Sequence, residues 1–396
     1  MTSSIYAGSP VVPDSSDGDR SRTLSVPATG RAWLDVDLDA VRRNVERLHR
    51  AAGVPLVLML KADAYGLGAT AVARALEHAG ESVWGLGVAT VQEAAELRAA
   101  DISARVLCCT PLLPEEFEVA QALLVRPALQ RGEDIIAWSR FGAPWHLSID
   151  TGMSRAGVRW DEVETLRAAV MLHPPEGVFT HFHSADDDAA RELQEQRFEH
   201  SVGVLRDMLL PAFREQLLVH CDNTAAIAAR ALNATTSPGQ LARPGIGVYG
   251  CVAEHALALE QPVHLRARVV DLRTVRAGET VSYGGSWCAP SARRIATVSA
   301  GHGDGYRRGG SGARTALLHG VHVPVTGFVT MDMTMLDVTD HACAIGDVVT
   351  LLGRDGDLVL RTEDVADEAG LSPYELLVGL RLRVPRRYHD VHQPDR

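Results

Sequence analysis

The chain lacks the features that would tie it to a membrane, a nucleic acid or an oxidising compartment. No apolar run in its 396 residues approaches the length needed to cross a bilayer. No dense Lys/Arg block occurs, and the formal net charge is -11, which argues against nucleic acid or anionic lipid as the main partner. Six cysteines without a CxxC pair, in a chain this long, are not a disulfide framework. A thiol-reducing cytoplasm is therefore expected. The His residues are scattered and form no tight ligand cluster, so no metal is expected. Residues 1–30 are rich in Ser, Asp, Gly and Pro and have no apolar core of signal-peptide length. They read as a disordered leader.

What is present is a globular composition, 46% hydrophobic and 22% charged. The length suits two domains. From about residue 54 to 250, short apolar runs alternate with amphipathic stretches. The runs are Leu56–Lys61, Val83–Ala89, Arg105–Thr110, Leu124–Leu129, Trp145–Asp150, Gly177–Phe182, Leu217–Cys221 and Gly245–Tyr249. Helical stretches fall at Ala69–His78, Val91–Ala99, Pro114–Leu123, Asp161–Leu172, Ala189–Leu209 and Thr224–Leu232. Eight strands alternating with helices predict a (β/α)8 TIM barrel. An open doubly wound sheet is the alternative, but its GxGxxG turn is missing.

After about residue 262 the rhythm becomes two-residue alternation, as in Leu265–Val275 and Val321–Val325. Val349–Leu360 reads as a hairpin around Asp355-Gly356. The expected organisation is a barrel over 31–262 and a C-terminal mostly-β domain over 263–396. Arg31–Asp37 is also strand-like and precedes the barrel, so it is expected to pair with the later domain.

Barrel chemistry sits where strands end. Lys61 closes the apolar run Val54–Leu60 and is followed by Ala62-Asp63-Ala64-Tyr65-Gly66. A strand this apolar is buried on both faces. Its terminal lysine either snorkels to solvent or is desolvated and suited to Schiff-base chemistry. Other strand ends carry Asp150–Arg155, Thr180–His183 and His220–Thr224, while Arg243-Pro244-Gly245 opens the eighth unit.

Six stretches resemble those of the alanine racemase family, which depends on pyridoxal 5'-phosphate (PLP). They are Leu60–Gly66, Ile149–Val158, Phe179–Phe182, Arg243–Gly250, Val281–Gly285 and Met331-Asp332, in the family's order. The resemblance implies a barrel plus β-domain and a homodimer with shared active sites acting on a small amino acid. It implies that Lys61 carries PLP covalently and serves as one base. Tyr283, from the other subunit, would be the base on the opposite face. Racemisation needs two such groups, because the proton leaves one face of Cα and returns to the other. A free phenol titrates at about 10, so a tyrosine base needs help; His181 and Arg243 match the family's hydrogen-bonded chain to it. Arg243 would also face the PLP ring nitrogen. Tyr65, Asn223, Thr224, Gly245 and Ile246 match cofactor-binding positions. Arg155, Met331 and Asp332 match substrate-site positions.

Four residues depart from the family pattern. Ser148 stands where a carbamate-bearing lysine is frequent, and Leu382 where a tyrosine binds phosphate. His302 replaces a tyrosine of the access corridor, and His183 a small residue. The resemblance implies a PLP-dependent amino-acid racemase, in the first place of alanine. Because the departures change the pocket and its entrance, the alternative is a racemase or an aldol-type lyase acting on another small amino acid such as serine. A related decarboxylase would place an acid at the ring nitrogen, which Arg243 opposes. A non-catalytic PLP carrier would lack Tyr283 and the β-domain.

Overall fold

The computed structural model describes residues 30–77, 79–251, 257–308 and 314–390. The expected leader lies almost wholly outside the described residues, as does His78; the helix predicted over Ala69–His78 is found as Ala69–Ala75. Seven short strands pair side by side and all parallel: Leu56–Met59, Val83–Val88, Val106–Pro111, Val125–Leu129, His146–Asp150, Gly177–Phe179 and Leu218–His220. Their side chains are mostly buried, as expected of strands covered by helices outside and packed side chains inside.

The ring closes through a segment that the apolar pattern did not mark as a strand. Leu241 bridges to His220 and Ala242 to Leu56, both parallel. Val57 N–H donates to Ala242 O at 2.8 Å, and Met59 N–H donates to Pro244 O at 3.1 Å. The predicted eighth strand, Gly245–Tyr249, is instead a 3-10 turn over Ile246–Tyr249. The reason is local. Pro244 has no N–H for a ladder, and Gly245 adopts φ -114, ψ -93, so the chain leaves the barrel wall there. The extended stave is displaced to 240–244, where only two residues bridge.

The predicted helices over 91–99 and 224–232 are found at those bounds, and 189–209 is found as Asp188–Met208. Helices that were not anticipated include Leu38–Ala52, Gly132–Ser139, Pro211–Gln216, Thr362–Glu368 and Pro373–Val378. The first has clear local signals. Asp37 Oδ1 accepts from Ala40 N–H at 2.8 Å, and Gly53 ends the helix in the left-handed region.

The β-rich part forms a nine-stranded sheet. Its main order is Val321–Pro324, Thr315–Leu318, Val348–Asp355, Val263–Val275, Ala32–Asp37 and Arg386–His389. Arg293–Val298 also pairs with Val263–Val275, and Thr334–Asp337 extends it. The early strand Ala32–Asp37 pairs with Val263–Val275, as its pattern suggested. The hairpin around residues 355 and 356 is present, with Leu358–Leu360 returning along Val348–Asp355. No helix among the described residues is long and apolar enough to cross a membrane.

Candidate active site

The C-terminal ends of the barrel strands surround a cavity of about 510 Å³. Lys61, Tyr65, Arg155, His181, Asn223, Thr224, Arg243, Gly245 and Ile246 all line it. Sequence reasoning brought these residues together from five strand ends, and the fold places them on one rim. Tyr283, Met331 and Asp332 do not line it. Tyr283 is 69% exposed and Met331 58%, on the β-rich part. Tyr283 borders a separate shallow pocket with Thr330, Met333 and Met335. Asp332 pairs with Arg383 at 2.8 Å.

Lys61 carries a signal that motif reading passed over. It is the single lysine of the chain; every other member of the 39 Lys and Arg residues is arginine. Its amine borders the cavity and makes no hydrogen bond or ion pair with another described residue.

The chain after Lys61 is unusual. Ala62, Asp63 and Ala64 hold φ between 52 and 55 and ψ between 47 and 50, and Tyr65 has φ 56. Four successive L-residues in the left-handed region cost about 1–2 kcal/mol each. Side-chain and backbone bonds hold the turn. Glu93 accepts from Ala62 N–H and Ala89 N–H, each at 2.7 Å. Asp63 Oδ1 accepts from Ala69 N–H at 2.7 Å. Arg386 donates to Gly66 O at 2.8 and 3.1 Å, and Tyr388 donates to Leu67 O at 3.0 Å. The left-handed path returns the Tyr65 hydroxyl to the cavity, beside Gly245. A Cβ at Gly245 would lie 2.5 Å from that oxygen, so glycine makes this approach possible.

Arg243 is buried, 5% exposed. Its Nη1 donates to His220 Nδ1 and His220 O, both at 2.8 Å, and its Nη2 donates to Thr180 O at 2.5 Å. The expected bond between His181 and Arg243 is not made. His220 takes that place, because it ends the seventh strand directly below Arg243, whereas His181 lies past the sixth strand and borders the cavity. Burial, with Arg243, Arg155 and Lys61 nearby, pushes the His181 imidazole down to about 3. It is neutral at physiological pH.

Asn223 caps the helix Thr224–Leu232, accepting from Ala226 N–H at 3.0 Å. The Thr224 hydroxyl accepts from Gly245 N–H at 3.0 Å and Gly247 N–H at 3.2 Å. Gly245 therefore spends its N–H on Thr224. Thr224, the first residue of this helix, borders the cavity, and its own N–H has no intrahelical partner.

The site suits PLP on chemical grounds. Lys61, Arg155 and Arg243 are cations, while the lining carboxylate is Asp150. Asp150 Oδ1 is occupied by Gly152 N–H and Ser154 N–H, at 2.9 and 3.0 Å. A cationic cavity with an unpaired amine and a helix N-terminus fits an aldehyde bearing a phosphate, and an amino-acid carboxylate beside it. Of the four departures, Ser148 borders the cavity; His183, His302 and the 84%-exposed Leu382 do not. Cys109 and Tyr374 also line it and were not foreseen. Tyr374 packs on Tyr65 with ring centroids 6.0 Å apart. Its helix start was legible in Ser372-Pro373-Tyr374-Glu375, whose capping box is formed.

Two family models match almost the whole described chain: the alanine racemase N-terminal domain over residues 36–253 and its C-terminal domain over 262–388. The chain belongs to the alanine racemase family. An alanine racemase of Deinococcus radiodurans is 40% identical over 364 residues, covering 90% of this chain and 99% of that one. The structure of a Bacillus anthracis alanine racemase with bound L-Ala-P superposes with a TM-score of 0.81 at 29% identity, covering 93% of this chain and 97% of that one. A Bartonella henselae alanine racemase with covalently bound pyridoxal phosphate gives a TM-score of 0.79 at 25% identity, covering 91% of this chain and 100% of that one.

Two outcomes follow for stability. Gly66 has φ 85, and a Cβ there would lie 2.6 Å from Leu377 O. Gly66→Ala should destabilise the fold by about 2 kcal/mol or more; an unchanged urea midpoint would contradict this tightness. Burial holds the His146 and His220 imidazoles below the usual 6.5, and His181 joins them. Below pH 6.5 the unfolded chain binds protons there that the native chain does not. Stability must then fall as pH falls, by about 1.4 kcal/mol per pH unit for each such imidazole. Urea unfolding at pH 7.5 and 5.0, at fixed protein and cofactor concentration, measures the slope. Equal midpoints would contradict it.

Proposed function

We propose that this chain is a PLP-dependent alanine racemase that works as a homodimer with shared active sites. The observation that carries the reading is the chain's single lysine, unpaired, in the cationic cavity of a barrel whose family is established above. When bound, PLP withdraws electron density from the substrate's Cα–H bond and makes that proton removable. Lys61 is assigned as the covalent anchor of the cofactor and as the base that takes or returns the proton on its side. Tyr283 of the partner subunit is assigned to the other face. Its exposure on the β-rich part, away from its own chain's cavity, supports a role across a subunit boundary. Met331 and Asp332 are assigned to the same face.

His181, neutral and at the cavity wall, is assigned to receive or relay the proton of the tyrosine base. Arg243 is assigned to the ring nitrogen. A guanidinium does not give up its proton readily, so Arg243 would hold that nitrogen, when the cofactor is bound, as an acceptor. Arg155 is assigned to the substrate carboxylate. Tyr65, Asn223, Thr224, Gly245 and Ile246 are assigned to the phosphate end. Gly245 acts there by leaving room for Tyr65, since its N–H is already used. A boundary near 262 between barrel and β-domain is assigned, with support from the gap between the two family matches. All six cysteines are free, which supports the cytoplasm.

Alanine is assigned as the substrate because the relatives bear that name; serine and aldol chemistry draw no support from them. Lys61→Ala and Tyr283→Phe should each lower kcat for L-alanine by about a hundredfold or more. Mixing the two inactive variants should restore activity, since a hybrid dimer contains one intact site. Mixed chains that stay inactive, or a fully active monomer, would contradict shared sites. The value of kcat/KM for alanine should exceed that for serine; the reverse order would overturn the substrate assignment.

A further inference from the structure

A buried polar thread crosses the barrel interior, where apolar layers are the rule. Arg243 Nη1 donates to His220 Nδ1 at 2.8 Å. His220 Nε2 and His146 Nδ1 are 2.8 Å apart. His146 Nε2 lies 3.2 Å from Glu176 Oε2. Arg126 donates to both Glu176 oxygens, at 2.5 and 3.2 Å. Both histidines are 0% exposed. Arg126 lies near the start of the fourth strand, His146 opens the fifth, and Glu176 precedes the sixth. His220 closes the seventh, and Arg243 borders the cavity. The thread thus joins the barrel end remote from the cavity to the cavity itself.

Donor and acceptor inventories allow one arrangement of protons. A guanidinium only donates, so His220 Nδ1 must accept. His220 then carries its proton on Nε2 and donates to His146 Nδ1. His146 therefore carries its proton on Nε2 and donates to Glu176, which as a carboxylate only accepts. Both imidazoles are neutral, in agreement with the downward shift that burial gives each. Burial raises the Glu176 carboxyl, but the bonds from His146 and Arg126 outweigh it and leave it at about 2. Packing holds the rings in place. Phe179 stacks on His220 with centroids 5.2 Å apart, and Trp84 meets His146 edge-on at 5.5 Å. Gly177 supplies the space: a Cβ there would lie 2.6 Å from the His146 ring.

We propose that Glu176 is a positioning residue for racemisation, acting across the barrel. Its carboxylate fixes the tautomers of His146 and His220, and so keeps a lone pair aimed at Arg243. The proposal rests on the reading of Arg243 as the group facing the cofactor. A carboxylate is required because an acceptor that can also donate would let both imidazoles reverse. A proton on His220 Nδ1 would then oppose the Arg243 donor and displace the guanidinium from the cavity wall.

The test uses full-length holoenzyme labelled with 15N-histidine, with Glu176→Ala and Glu176→Gln variants. In the parent, two imidazoles should show an unprotonated Nδ1 and a protonated Nε2 at neutral pH. Glu176→Ala should mix the tautomers and lower kcat by about tenfold, with a smaller change in KM. Glu176→Gln, which keeps an acceptor, should fall between, and it carries the test if the alanine variant does not fold. Unchanged 15N tautomers in the variants would overturn the proposal. So would a kcat that stays at the parent value while only the melting temperature drops. Arg243→Lys separates the two readings. Full activity in that variant, with parent tautomers intact in Glu176-containing enzyme, would remove the role of Arg243 rather than the tether.

Discussion

The site depends on one constraint: a single amine must be delivered to a cavity from the end of a fully buried strand. Leu56–Met59 is buried along its length, and Lys61 follows at once. A right-handed helical turn there would carry the chain away smoothly. The left-handed path over residues 62–65 instead brings the Tyr65 hydroxyl back beside Gly245, so that amine and phenol border one space. Such a turn persists only where its surroundings over-determine it. Glu93 holds it from the neighbouring barrel unit, and Arg386 and Tyr388 hold it from the last strand of the β-rich sheet. The barrel and the sheet are therefore not independent supports. The sheet fixes the turn that follows Lys61.

Charge is the second organising element. Three cations border the cavity and its carboxylate is occupied by backbone donors. The histidine that borders it is kept neutral by burial and by those same cations. A neutral imidazole can pass a proton in either direction, whereas a charged one can only release it. Arg243 stays in place because its donors meet carbonyls and one imidazole lone pair. Its fixed position reflects the barrel's own polar interior, not the cavity residues alone.

Much of this was legible in the sequence. Strand rhythm gave the barrel, and the ends of the runs gave nine residues of one lined cavity. The eighth stave was not legible, because two bridging residues carry no periodic signal. The left-handed turn was not legible either: Ala62-Asp63-Ala64 has ordinary helix formers, and only tertiary bonds select the unusual backbone. Motif resemblance linked His181 to Arg243, but the strand geometry links His220. His146 and Glu176 were invisible because each lies at a strand start, where site chemistry is not expected. The solitary status of Lys61 was open to simple counting and would have strengthened the assignment at the outset.

The central claim is that the amine of Lys61 holds the cofactor. Borohydride reduction of the PLP-loaded enzyme, followed by intact mass and peptide mapping, tests it directly. The account predicts one pyridoxyl group per chain, on the peptide that contains Lys61, and none after Lys61→Ala. A reduced enzyme without that adduct, or with the group elsewhere, would contradict it.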